Sequence, residues 1–96
     1  MIQTLYQHIE YKEGIAYVEG KTTKVSEIIV EHQAYGWSAE EIHFQHPYLS
    51  LSEIYSALAY YWDNKEAMNI QIEKEMQNIE NLKNQYQSSV IKKINF

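Results

Sequence analysis

Apolar and polar residues alternate between His8 and Val18, and the alternation is interrupted once, at Glu13-Gly14. A period of two predicts β-strands, because successive side chains of a strand point to opposite faces. A Gly-containing pair between two such segments is typical of a tight hairpin turn. The pattern therefore predicts a β-hairpin over residues 8–18, followed by a loop at Gly20.

The period then changes to that of a helix. Apolar or aromatic side chains recur at intervals of three or four from Val25 to Tyr35, which predicts a first helix over about residues 26–35. Gly36 suits the end of this helix, because glycine adopts the left-handed backbone conformation without steric cost.

Two further helix starts follow, twelve residues apart. Ser38 and Ser50 each stand three positions before a Glu, a spacing typical of an N-terminal capping box. Pro47 ends the helix that begins after Ser38, because a proline disfavours helical geometry in the residue before it. The predicted elements of this tri-helical, helix-turn-helix unit, which covers residues 25–62, are helices over 26–35, 39–46 and 51–62.

Helical spacing in the third helix defines an apolar stripe for the core, consisting of Leu51, Ile54, Tyr55, Leu58 and Trp62. Residues 48–62 contain five large aromatic side chains, more than one helix face of a small domain can bury. Aromatic residues left outside a core are enriched at protein interfaces. The candidate interface residues of this segment are therefore Tyr48, Tyr60 and Tyr61, and the hairpin adds Tyr11 and Tyr17.

A long amphipathic helix is predicted over residues 64–88, with residues 89–96 as a frayed end. Its apolar stripe consists of Met68, Ile72, Met76, Ile79, Leu82 and Tyr86. The core of so small a domain cannot cover the whole stripe. We therefore expect the part from about Glu75 onward to pack against another chain, identical or different, with Ile79, Leu82 and Tyr86 as contacts.

Length and composition limit the class of protein. A chain of 96 residues forms one domain, 1–96, and 45% apolar residues suffice for a packed core. The absence of cysteine excludes disulfides and Cys-based zinc sites. No segment has the roughly eighteen consecutive apolar residues of a membrane span, and no signal-like segment opens the chain, so we expect a cytoplasmic protein.

The charge balance weighs against base reading by the helical unit. The chain has thirteen acids and eight bases, all of them Lys, and residues 26–62 contain five Glu and no Lys or Arg. Phosphate contacts need cationic side chains, and strong base contacts need Arg, Lys, Asn or Gln, which the third helix lacks. If DNA is bound, the candidate contacts are Lys12, Lys21 and Lys24 on the hairpin and its loop.

Few residues offer catalytic or metal-binding chemistry. Glu40, His43 and His46 share a helix face at three-residue spacing, but a di-iron bundle site needs a second such motif and two further Glu. The sequence has no nucleophile elbow, phosphate loop or dinucleotide motif. We predict no catalytic, cofactor-binding or metal-binding residues, and therefore a protein that is not an enzyme.

The order of these parts is similar to that of a known family. The hairpin, the loop at Gly20, and "YGWSAEEIHFQHPYLSLSEIYSALAYY" resemble the bacterial family called domain of unknown function 433, whose members are small and antitoxin-like. The likeness covers about Ile9 to Met68. The matching positions are Gly20, Val25, Gly36, Glu41, Ile42, Pro47, Leu49 and Leu58. Where many members have Gly-Thr-Arg, this chain has Gly20-Lys21-Thr22.

The resemblance implies a hairpin followed by a homeodomain-like unit, usually dimeric and often encoded beside a PIN-like toxin. It leads to the expectation of a homodimeric interaction protein whose C-terminal helix masks a PIN-like ribonuclease. Two alternatives stay open: a DNA-binding transcriptional regulator that uses the Lys-bearing hairpin, and a purely structural oligomer.

Overall fold

The computed structural model describes the backbone of residues 2–3 and 6–94 and the side chains of residues 6–82. In chain order, the elements are strands β1 (Ile2–Gln3), β2 (Ile9–Lys12) and β3 (Ile15–Val18) and helices α1 (Val25–Tyr35), α2 (Ala39–Gln45), α3 (Leu51–Asp63) and α4 (Lys65–Ile94). The predicted mainly helical fold with an N-terminal hairpin is confirmed. No helix in the described part of the chain combines the length and apolarity needed to cross a membrane.

The hairpin turns where the sequence predicts. Strands β2 and β3 are antiparallel and are joined by Glu13 and Gly14, whose φ values are 53° and 79°. Positive φ at both central residues defines a type I′ turn, whose twist matches that of the paired strands. The short strand β1 adds to the free edge of β2, with Ile2 opposite Tyr11. Alternation over two residues is too short to predict this third strand.

The helix ends follow the local signals. Gly36 has a φ of 67° and ends α1. Ser38 and Ser50 both form complete capping boxes, in which the serine side chain accepts a backbone hydrogen bond and the following Glu returns one. Helix α2 ends one residue earlier than predicted, since His46 precedes Pro47 and adopts a non-helical φ of −129°.

The face of α3 that enters the core differs from the prediction. Tyr60 and Tyr61 are 7% and 2% exposed, whereas Tyr55 and Trp62 are 51% and 60% exposed. Apolar and aromatic residues of α3 occur on more than one of its own faces, so the periodicity of its sequence fits two alternative core-facing stripes equally well. The observed stripe has the small residue Ala57 at its centre, which allows α3 to approach its neighbours closely.

One core joins the hairpin, the first three helices and the start of α4. It consists of Ile9, Ala16, Val18, Val25, Ile28, Ile29, Ala39, Ile42, Leu49, Ile54, Ala57, Tyr60, Tyr61, Met68 and Ile72. Helices α1, α2 and α3 pack against one another, and α4 packs on α1 and α3. Helix α4 continues to Ile94, beyond the predicted end at residue 88, and no Gly or Pro interrupts it. Residues 95 and 96 of the predicted frayed end lie outside the described residues.

Candidate interaction surface

A groove with an apolar floor runs between α1 and α4. Its volume is about 360 Å³. Its apolar lining consists of Val30, Ala34, Tyr35, Ile72, Met76 and Ile79, and its polar lining of Ser26, Glu27, Glu31 and Glu75. Tyr35 stacks at 4.6 Å on Trp37 and is still 65% exposed. The groove is therefore an open apolar surface with a carboxylate-bearing rim.

The stripe of α4 passes from the core into solvent along this groove. Ile72 is 8% exposed, and the exposed fraction rises to 50% at Met76, 55% at Ile79 and 65% at Leu82. The side chain of the other predicted contact on this helix, Tyr86, lies outside the described residues. The predicted stripe is therefore observed from Met68 to Leu82, and Ile79 and Leu82 are exposed; their role as contacts with another chain stays a prediction.

Polar contacts fix α4 beside the groove. Glu75 accepts hydrogen bonds from Ser26 Oγ at 2.8 Å and Gln71 Nε2 at 3.1 Å, and Lys24 Nζ lies 3.3 Å from it. Burial raises the pKa of Glu75, but these hydrogen bonds and the charge of Lys24 outweigh it, so the pKa lies below its ordinary value. The exposed stripe therefore extends from a helix that is anchored on α1.

Tyr60 is a core residue rather than an interface residue. Its hydroxyl lies 2.8 Å from that of Tyr11, and Tyr6 packs edge-on against its ring at 5.3 Å. Burial, together with the hydrogen bond to Tyr11, raises the pKa of Tyr60 far above its ordinary value. The predicted interface role is therefore wrong for Tyr60, and the hydroxyl of the half-buried Tyr11 is used within the chain. Tyr17 is also half-buried, and Lys12 Nζ lies over its ring, 4.8 Å from the ring centre.

Tyr61 is the second correction, because its side chain joins three helices. Its hydroxyl accepts a hydrogen bond from Gln33 of α1 at 2.8 Å and donates one to Asn69 of α4 at 2.9 Å. A tyrosine can be buried when its hydroxyl has such partners. The periodicity of α3 gave no signal for this, because the partners lie on other helices.

A second set of exposed rings lies on α2, α3 and the turn between them. Tyr48 is 59% exposed, as predicted for an interface residue, and Phe44 is 80% exposed. The sequence analysis missed Phe44, although it follows Glu40 by four residues and so shares its polar helix face. Tyr55 donates a hydrogen bond to Glu40 at 2.7 Å, and Lys65 Nζ lies 5.1 Å from the Trp62 ring centre.

The three candidate DNA-contacting lysines all make contacts within the chain. Lys12 Nζ donates to the carbonyl of Lys21 at 3.0 Å and lies 3.6 Å from Glu10. Lys21 Nζ lies 2.7 Å from Glu53, and Lys24 pairs with Glu75 as described above. Lys21 and Lys24 therefore hold the segment after the hairpin against α3 and α4, whereas Lys12 joins the hairpin to its own following loop.

The Glu-His-His motif of α2 does not converge on one point. Glu40 accepts from Tyr55, His43 Nδ1 donates to the carbonyl of Leu49, and His46 Nε2 lies 2.8 Å from Glu31. Within the described residues, no group of three His, Cys, Asp or Glu side chains is placed to hold a metal ion. These three side chains instead stabilise the positions of α2 and the turn before α3.

Hairpin, helices and surfaces together define a small, mainly helical domain that exposes several large apolar and aromatic side chains. The chain belongs to the DUF433 family, described as a protein of unknown function, whose model matches residues 9–61, more than half of the chain. The match covers the hairpin, α1, α2 and α3 as far as Tyr61, and it ends before α4. No curated protein and no solved structure matches the chain.

Proposed function

We propose that the protein is a non-enzymatic interaction protein of the antitoxin type, which forms a homodimer in the cytoplasm when free and binds a PIN-like ribonuclease through α4. The observation that carries the proposal is the stripe of α4, which leaves the core at Ile72 and continues as Met76, Ile79 and Leu82 in solvent. A helix that presents apolar residues at such intervals is suited to lie in a groove of another protein.

The charges at the end of the chain support this type of partner. After Glu80 the sequence has no acidic residue and three lysines, Lys83, Lys92 and Lys93. A nuclease whose active site is built from carboxylates presents negative charge, and a basic helix end complements it. The apolar stripe would supply most of the affinity and the lysines the orientation.

The first test is to examine the reading frames next to this one in the genome for a PIN-like product. A PIN-like reading frame that overlaps or adjoins it supplies the ribonuclease for the binding test. Neighbouring frames without any PIN-like product would contradict the ribonuclease assignment, while leaving the exposed stripe of α4 to be explained by another occupant.

The second test compares two isoleucines of α4 with nearly equal exposure, Ile79 at 55% and Ile70 at 56%. They are nine residues apart and therefore lie on opposite faces of the helix. The PIN-like protein is co-expressed with the wild-type chain, with Ile79→Glu or with Ile70→Glu, and complex formation and RNA cleavage are measured.

We expect Ile79→Glu to weaken the complex at least tenfold and to restore RNA cleavage, because a charge replaces an apolar contact. Ile70→Glu serves as the matched control and should bind and inhibit like the wild type. Equal binding by both variants would exclude the α4 stripe as the contact surface.

A further inference from the structure

Charge is divided unevenly along the chain. Residues 1–80 contain all thirteen acids and five of the eight lysines, a net charge of −8. Residues 81–96 contain three lysines and no acid, a net charge of +3. This last segment, the basic tail, also contains apolar residues, namely Leu82, Tyr86, Val90, Ile91, Ile94 and Phe96.

The groove between α1 and α4 has the complementary properties. Its floor is apolar, and three carboxylates, those of Glu27, Glu31 and Glu75, line it. Lys24 offsets only the charge of Glu75. Glu27 is exposed, and Glu31 contacts His46. A basic segment with apolar side chains therefore fits the groove both by charge and by polarity.

A chain cannot place its own basic tail in its own groove while α4 is intact. Ile79 is the last groove residue, and the helix continues for fifteen residues to Ile94. At a rise of 1.5 Å per residue, this takes the end of the helix about 22 Å beyond the groove. Only a second molecule can bring a basic tail to this site.

We propose that the basic tail of one copy occupies the α1/α4 groove of a second copy, and the reverse, so that two α4 helices pair antiparallel about a two-fold axis. This arrangement rests on the proposed homodimer and names its surfaces. If position 93 of one helix lies opposite Ile72 of the other, the two-fold axis passes midway between these positions, close to Leu82. Each copy contributes the same two surfaces to the interface, so both are used up in a dimer and no further copies can add.

The stripe of α4 then has two competing occupants. A second copy covers it in the free protein, and the ribonuclease covers it in the complex. Saturating ribonuclease is therefore expected to separate the two copies, which links the oligomeric state to partner binding.

The test is a charge exchange followed by sedimentation equilibrium of the full chain over a concentration series. The tail variant carries Lys83→Glu, Lys92→Glu and Lys93→Glu, and the groove variant carries Glu27→Lys and Glu31→Lys. A control with the same charge change as the groove variant, Glu13→Lys with Glu66→Lys, alters exposed positions away from the groove. Circular dichroism checks that each variant is folded.

We expect the wild type and the control to sediment at twice the chain mass of 11.4 kDa. The tail and groove variants should each dimerise at least tenfold more weakly, because like charges then meet at both contacts. An equimolar mixture of the two variants should restore the dimer, because each tail then meets a groove of opposite charge.

Two results would overturn the arrangement. A wild-type dimer that neither variant weakens, or whose variants do not recover on mixing, would retain the homodimer but exclude these surfaces. A wild-type chain that stays monomeric would exclude the homodimer as well, while the ribonuclease test remains independent of both results.

Discussion

Lys21 Nζ lies 2.7 Å from Glu53 Oε2, and this ion pair joins the loop after β3 to the first turn of α3. The other carboxylate oxygen, Oε1, accepts the backbone N–H of Ser50 at 2.8 Å and completes the capping box. The Glu53 side chain is only 12% exposed. A residue considered first as a DNA contact thus balances the charge of a nearly buried carboxylate.

Removing this charge should destabilise the protein. We expect Lys21→Met to lower the free energy of unfolding by about 1–2 kcal/mol, because Glu53 is left without its charged partner. Glu53→Gln keeps an N3 side chain that can cap the helix, so combining it with Lys21→Met should cost less than the sum of the two single changes. Urea denaturation measures each value. Lys74→Met, at an exposed position of α4, is the control and should change little.

Acid should weaken the fold through Glu53 and Glu75. Burial raises the pKa of both, but hydrogen bonds and the lysine charges outweigh it, so the folded-state values lie below the ordinary 4.5. The unfolded chain therefore binds more protons in this range, and stability falls as the pH drops from about 5 through the folded-state pKa values. Above about pH 5.5 the contribution is fully present.

The measurement is the urea midpoint between about pH 7 and pH 3. The double variant Glu53→Gln with Glu75→Gln should start lower at pH 7 and lose less stability on acidification. Glu73→Gln, at an exposed position on α4, should retain the wild-type slope. Parallel curves for the wild type and the double variant would contradict the role of these two carboxylates.

Local signals predicted the element ends, because the residues that decide them are close in sequence. Gly36 adopts its left-handed conformation and Ser38 and Ser50 cap their helices regardless of what packs nearby. The core-facing side of α3 depends instead on distant residues. Tyr60 meets Tyr11, 49 positions away, and Tyr61 meets Gln33, 28 positions away. Periodicity within one helix contains no information on these partners.

The candidate surface was predictable only in part, for the same reason. The stripe on α4 follows from its own spacing, and Ile79 and Leu82 are exposed as expected. The groove exists only because α1 lies beside α4. The hydrogen bond from Ser26 to Glu75, 49 positions apart in the sequence, holds the two helices together there. The ion pairs of Lys21 and Lys24 are equally non-local, so sequence alone could not show that these cations are used internally.

The reassigned face of α3 makes a direct prediction for two neighbouring aromatic residues. Tyr61→Ala should lower the free energy of unfolding by about 3 kcal/mol or more, because it opens a cavity and removes the partner of Gln33 and Asn69. Trp62→Ala should change it by about 0.5 kcal/mol or less, since the ring is 60% exposed. Urea denaturation of both variants measures the two losses in free energy of unfolding. A larger loss for Trp62→Ala would restore the stripe predicted from spacing alone.

Gly36 offers a test of the backbone rather than of packing. Its φ is 67°, and no described residue other than Gly36 and its two chain neighbours has a heavy atom within 4 Å of where a Cβ would stand. Any cost of Gly36→Ala therefore comes from the left-handed conformation, about 1–2 kcal/mol. Gly36→Asn should cost less, because Asn tolerates this conformation better. Thermal denaturation compares the two, and equal losses would indicate that the chain leaves this conformation when Gly36 is replaced.

The ion pairs also bear on the alternative of a DNA-binding regulator. Lys21 and Lys24 would have to leave Glu53 and Glu75 to contact phosphates, and the helical unit adds five Glu without Lys or Arg. We therefore expect the wild-type chain to leave the mobility of duplex DNA unchanged in a gel-shift assay, even at low salt, where phosphate contacts are strongest. Lys21→Ala with Lys24→Ala should behave identically. A low-salt shift that this double variant abolishes would favour the hairpin as a DNA-binding ribbon.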